Sequence, residues 1–176
     1  MRIIRILPHP SVLDILDDPD LQGKEIDCIL REFAPRERDH GQTSFWRGNT
    51  ETEFEHVIAG YSGRRKRPDK LSCLMLEDSI FSSIGLDLRC VPDPETFSCI
   101  SNLHFQGDFT NQERMKQLAS SVVRSLCGED TRAEPKSFSK SEVTALIKRV
   151  AEACKQSGLF PEGDRASEWA RSLIKN

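Results

Sequence analysis

Residues 60–76 read GYSGRRKRPDKLSCLML, with four consecutive cations, Arg64 to Arg67, between the end of an apolar-periodic segment and a run in which Ser72 is the one polar side chain. A continuous apolar run of this length, bounded by Pro68 on one side and by Glu77 and Asp78 on the other, has the length of a strand buried on both faces rather than of a helix. Such a strand needs a cover of helices, and the segments around it supply candidates.

The segment before the cations is a helix by its cap and its period. Asn49 or Thr50 can cap it, Glu53 completes a T-x-x-E box, and Phe54, Val57, Ile58 and Tyr61 fall on one face. Gly63 is expected to end it in the left-handed conformation. Arg64 to Arg67 then lie just beyond a helix C-terminus, where the helix dipole favours positive charge, and Pro68 keeps the chain extended. Three readings stay open for Arg64, Arg65, Lys66, Arg67 and Lys70: a solvated loop, a contact with nucleic acid or another polyanion, and a targeting signal.

Working outward, Arg2–Leu7 is rich in isoleucine and reads as a second buried strand, turned by Pro8 and Pro10. Ser11 caps a short acidic helix that stops at Pro19. Ile26, Ile29, Leu30 and Phe33 recur at i, i+3, i+4 and i+7 and mark a helix over 24–33. Residues 35–48 lack a period and read as a long connection or an irregular strand. SIFSSIG is a helical turn. Residues 86–91 and 97–106 flank the turn signal PDPET and form an antiparallel hairpin, with Asn102, His104 and Gln106 on its polar face. Thr110 and Glu113 open a helix over 111–127 that Gly128 stops.

Residues 129–138 are polar and contain Pro135, and are read as a linker. Beyond them Ser139 and Glu142 cap a helix bearing Val143, Leu146, Ile147, Val150 and Cys154. A last helix from Asp164 carries Trp169, Ala170, Leu173 and Ile174. The expected architecture is an α+β domain over 1–128, a small and mostly antiparallel sheet of three or four strands covered by helices, with a C-terminal helical hairpin over 139–176. The hairpin cannot bury both of its stripes alone, so Trp169 and Leu173 are candidates for packing on the domain, on a second copy or on a partner.

A length of 176 residues suffices for a real hydrophobic core, and 37% apolar residues with periodic faces exclude wholesale disorder. The net charge of −3 gives no global attraction to nucleic acid or to an anionic membrane, so such binding would have to be local. The apolar run at the N-terminus is short and broken by Pro8, so neither a signal peptide nor a membrane span is expected. Six cysteines without a C-x-x-C pair exclude a zinc-finger pattern. Their apolar surroundings suggest small core residues in a reducing, cytoplasmic setting.

No P-loop, G-x-G-x-x-G turn, H-E-x-x-H or G-x-S-x-G elbow is present, so neither a cofactor nor a metal is expected. Two sets of residues could still serve an enzyme. Arg47 stands before a helix N-terminus with Glu51, Glu53, Glu55 and His56 behind it, a pattern suited to an anion and a general base, although the capping box and dipole also account for the glutamates. His104 and Asp108 lie at a strand end and could exchange protons, the plainer alternative being a surface histidine. With no convincing catalytic set, the expectation is a protein-interaction module, such as an adaptor, an inhibitor of immunity type or an assembly component. The alternatives are a nucleic-acid-associated protein using Arg64 to Arg67, and a small enzyme near Arg47 and Glu53 or near His104 and Asp108.

Overall fold

The computed structural model describes residues 1–7, 13, 24–35, 41–67, 69–93, 98–156 and 168–174. The elements follow in the order β1 (Arg2–Leu7), α1 (Glu25–Phe33), β2 (Gln42–Arg47), α2 (Glu51–Gly63), β3 (Leu71–Glu77), α3 (Asp78–Ser83), β4 (Leu88–Cys90), α4 (Ser98–Ser101), β5 (His104–Asp108), α5 (Gln112–Leu126), β6 (Ala133–Phe138), α6 (Lys140–Gln156) and α7 (Glu168–Ile174). The strands form one six-stranded sheet in the order β4-β5-β2-β1-β3-β6, antiparallel at every pair. The fold class is α+β.

Alternation along the strands sends side chains to two cores. Ile4, Ile6, Trp46, Cys73 and Met75 face α2, α4, α6 and α7, whereas Ile3, Leu7, Phe45, Leu74 and Leu76 face α1, α3 and α5. As the uninterrupted apolar run requires, β3 is buried from Leu71 to Leu76. Its partner β1 is matched to it over its whole length, from Arg2 opposite Glu77 to Leu7 opposite Ser72.

Phe45 is the hub of the second core. Its ring meets Phe81 edge-on with centroids 5.2 Å apart, and stacks with Phe109 at 5.4 Å and Phe33 at 6.1 Å. Arg5 leans over the same ring at 5.7 Å. Its guanidinium donates through Nε to the Glu32 carbonyl (2.9 Å), through Nη2 to that same oxygen, and through Nη1 to the Ser44 carbonyl (2.9 Å). A cation at the last turn of α1 also suits the helix dipole, so Arg5 fastens α1 to the sheet.

Several elements differ from the sequence reading. Among the described residues there are six strands rather than three or four. The stretch 35–48 contains β2, a strand between β1 and β5, paired with β5 from Gln42 to Trp46 and with β1 at Trp46 and Arg47; its period is masked because Thr43 is buried beside Phe45 while Trp46 is buried on the opposite face. Thr43 tolerates burial by donating its hydroxyl proton to the Phe33 carbonyl at 2.8 Å. The expected strand over 97–106 is shorter, because Ser98–Ser101 is helical, β5 begins at His104 and its pairing with β4 begins at Phe105.

Residues 129–138, read as a linker, contain β6. Pro135 and the polar residues around it suit an edge strand, where a missing N–H costs no ladder bond on the open side and charge discourages further pairing. Helix α6, capped by Ser139 and Glu142 as expected, follows directly and packs against α2. Leu173 of α7 is half-buried against the first core and Ala170 is fully buried.

Finer corrections concern helix ends. Gly63 is the last residue of α2, and Arg64 ends the helix with right-handed backbone angles. Asn111, not Thr110, caps α5 by accepting from the N–H groups of Glu113 and Arg114. Gly128 does take the left-handed conformation, with φ +82. On α1 the buried side is Ile29, Glu32 and Phe33, while Ile26 faces solvent. Cys73 and Cys154 are small core residues, but Cys90 and Cys127 are exposed. The acidic helix from Ser11, most of the PDPET turn and the start of the last helix at Asp164 lie outside the described residues.

Truncating Phe45 removes three ring contacts from a closed core, and Phe45→Ala is expected to cost about 3–5 kcal/mol. Equilibrium urea unfolding measures this. A loss below about 1 kcal/mol would show that the ring cluster is not the centre of that core.

Candidate functional site

Arg47 and Glu53 do meet. The Arg47 guanidinium donates from Nη2 (2.8 Å) and Nε (3.1 Å) to Glu53 Oε1, while Oε2 accepts the Asn49 N–H at 2.9 Å. The Glu53 N–H in turn donates to Thr50 Oγ1 at 3.1 Å. Both carboxylate oxygens of Glu53 therefore hold the start of α2 to the end of β2, which is a cap extended by an ion pair. The arrangement positions the helix and leaves no base aimed at a ligand.

His104 was expected on a polar face and is instead buried in the first core, with its ring 4.6 Å from that of Trp46. Trp46 stands directly opposite it in the β2–β5 ladder. Nδ1 lies 2.7 Å from the Val91 carbonyl, which can only accept, so Nδ1 carries the proton. Burial lowers the pKa, partly opposed by that carbonyl and by Asp93, while Arg64 lowers it further.

Asp108, four residues further along the same strand, is exposed and closes a turn by accepting the N–H and hydroxyl of Thr110 at 2.9 and 2.7 Å. Those two hydrogen bonds hold its carboxyl below the usual range. A span of about 13 Å along an extended chain separates His104 from Asp108, too far for proton exchange. Among the cysteines, burial pushes the Cys73 thiol up to about 12, so at neutral pH it is protonated and inert. Among the described residues no three His, Cys, Asp or Glu side chains are grouped as metal ligands.

The basic stretch divides. Arg64 donates to Asp93 at 3.4 Å, and Arg65 lies over the Tyr61 ring at 5.3 Å while donating to the Lys70 carbonyl at 3.2 Å. Both are half-buried, whereas Lys66, Arg67 and Lys70 point into solvent.

A cleft that the sequence did not disclose opens beside the first turn of α2. It measures ≈ 500 Å³ and lies over β1, β3 and β6, between α2 and α6. Phe54, Met75, Phe138 and Leu146 give it apolar walls, with the Phe54 and Phe138 rings 5.8 Å apart. Around these stand Arg2, Glu51, Glu55, Lys136, Glu142 and Arg149.

Most of these charges are already answered. Arg149 binds Glu55, through Nε at 3.3 Å and also through Nη2. Glu142 accepts the Ser139 N–H and hydroxyl, both at 2.7 Å. Lys136 lies 3.4 Å from Glu134 and over the Phe54 ring at 5.6 Å. The Arg2 guanidinium and the Glu51 carboxylate make no such contact among the described residues. The sequence signal that could have found this cleft is the pairing of Phe54 with Phe138, but it requires knowing that 133–138 is a strand.

The direction of the histidine shifts gives a pH dependence. His104 and His56 both have folded-state pKa values lowered by burial from 6.5, so below that pH the unfolded chain takes up protons that the folded chain resists. Stability is expected to be full above pH 6.5 and to decline as the pH falls beneath it, before the carboxylates held low by Thr110, Arg132 and Ser139 begin to titrate. Urea midpoints between about pH 7.5 and pH 5.5 read the slope, and His104→Gln should flatten it. An unchanged slope in that variant would remove His104 from the acid sensitivity.

Comparison of the chain with protein-family models, with curated proteins and with solved structures returns no match.

Proposed function

We propose that this chain is a protein-interaction module whose cleft between α2 and α6 receives an apolar side chain of a partner protein. One observation carries the reading: the ≈ 500 Å³ cleft joins an apolar interior to a charged rim. That volume suits one or two side chains, and an apolar centre within a polar rim is the anatomy in which buried anchors contribute most of a binding energy.

The rim supports one orientation. With Glu55 and Glu142 engaged inside the chain, Arg2 is the cation left to meet a carboxylate, and Glu51 is the anion left to meet a cation. A segment with an apolar residue beside an acidic one, and a basic residue further along, satisfies both. Oppositely charged rims govern encounter and register more than affinity, so the apolar anchor sets how tightly the segment binds. The arrangement of Arg47, Glu53, His104 and Asp108 favours this reading over an enzyme, because the first two form an internal cap, the third is buried and the fourth closes a turn.

Display of random peptides against the purified chain tests it. Enriched sequences are expected to share an apolar residue next to an acid. Phe54→Ala should weaken their binding by roughly 10-fold or more, in keeping with the loss of an interface anchor. Arg2→Glu, at an exposed position where folding is not at stake, should abolish the acidic preference. Peptides that bind both variants as well as the original chain would overturn the assignment of the cleft.

A further inference from the structure

We propose that the chain carries a second binding surface, a track for the phosphate backbone of nucleic acid formed by Lys66, Arg67, Lys70, Lys140 and Lys148. Two separate parts of the sequence meet there. Leu71 pairs with Phe138 at the end of the β3–β6 ladder, so the chain entering β3 from the basic loop runs beside the chain leaving β6 for α6. Lys70 and Ser139 are consequently neighbours, and Lys140 opens the helix next to the loop.

Along α6, Lys140, Thr144 and Lys148 recur every four residues and share one face, covering about 12 Å. Together with Ser139, Ser141 and Ala145 they line a shallow groove with no carboxylate among its described lining residues. All five cations are exposed, and none makes an ion pair among the described residues. Asp69, the acid within the loop, turns Oδ1 onto the Lys70 N–H at 2.8 Å.

The composition of this face distinguishes nucleic acid from an acidic protein. Among the described residues lining the groove, no apolar side chain is larger than alanine, whereas a protein interface would need an apolar anchor at its centre. Ammonium groups spaced along a helix suit phosphates, which contribute position and affinity without reading bases. Among the described residues lining the groove there is no aromatic ring for base stacking, so binding is expected to be indifferent to sequence. The structure also changes which residues take part: Arg64 and Arg65 are occupied by Asp93, Tyr61 and the Lys70 carbonyl, and the lysines of α6 extend the cluster in their place.

The test uses the full chain and a fluorescein-labelled DNA duplex of about 20 base pairs, followed by anisotropy between about 50 and 200 mM salt. Five engaged cations predict a slope of log K against log salt of about −4.5, which is a loss of roughly 500-fold across that range. Replacing all five by glutamine should abolish binding, with an unchanged thermal midpoint showing that the fold is intact. A slope shallower than about −3, binding retained by that variant, or competition by polyglutamate as effective as by unlabelled duplex would each overturn the proposal. Arg2→Glu, in the cleft, should leave duplex binding within about twofold, so that failure here is separable from failure of the peptide site.

Discussion

The pairing of β1 with β3 is the constraint on which the remaining structure depends. Both strands are apolar on both faces, and a sheet with such a centre cannot leave either side to water. In the antiparallel register, Ile4 stands beside Met75 on one face and Ile3 beside Leu76 on the other. A slip of one residue would exchange the two cores and bring Arg5 under the wrong set of helices. The register therefore fixes which helices lie on which side, and hence that α2 and α6 come together over the face where the cleft opens.

Arg5 is the charged exception at the centre of this pairing. A guanidinium beneath a helix would be costly without partners, but the carbonyls of Glu32 and Ser44 accept its protons and the Phe45 face accepts its charge. Its place in β1 and its hold on the last turn of α1 tie one helical layer to the central strand. On the other face Arg47 and Glu53 tie the start of α2 to β2, and the buried ring of His104 keeps one proton on the Val91 carbonyl. The two layers thus respond differently to pH. Arg5 stays charged throughout, whereas acid places a charge on His104 where burial opposes it.

Much of this was legible in the sequence wherever a pattern was local. The runs 2–7 and 71–76, the caps of α2 and α6 and the stop at Gly128 follow from residues within a few positions of each other. What escaped was non-local. The strand β2 mixes a buried threonine with aromatic residues directed to opposite faces, and only its neighbours β1 and β5 make it a strand. The strand β6 has linker composition because an edge strand tolerates proline and charge. The cleft could not be seen because its apolar walls come from α2, β3, β6 and α6, segments far apart in the chain. His104 was misplaced because alternation indicates which residues share a face, and helices on both sides make both faces interior.

Placing both candidate surfaces on α6 has a geometric consequence. Leu146 and Arg149 turn toward the cleft, Lys140 and Lys148 toward the groove, and Ala145 borders both, so the surfaces meet along one helix rather than on opposite sides of the molecule. A residue larger than alanine at this position would narrow both grooves at once. Helix α6 is itself held by a buried apolar stripe, by its serine–glutamate cap and by the Arg149–Glu55 pair to α2. That ion pair is partly exposed, so its own contribution to stability is small. Its larger effect is to pair Glu55 with Arg149, which leaves the Arg2 guanidinium and the Glu51 carboxylate as the charges lining the cleft that have no partner among the described residues.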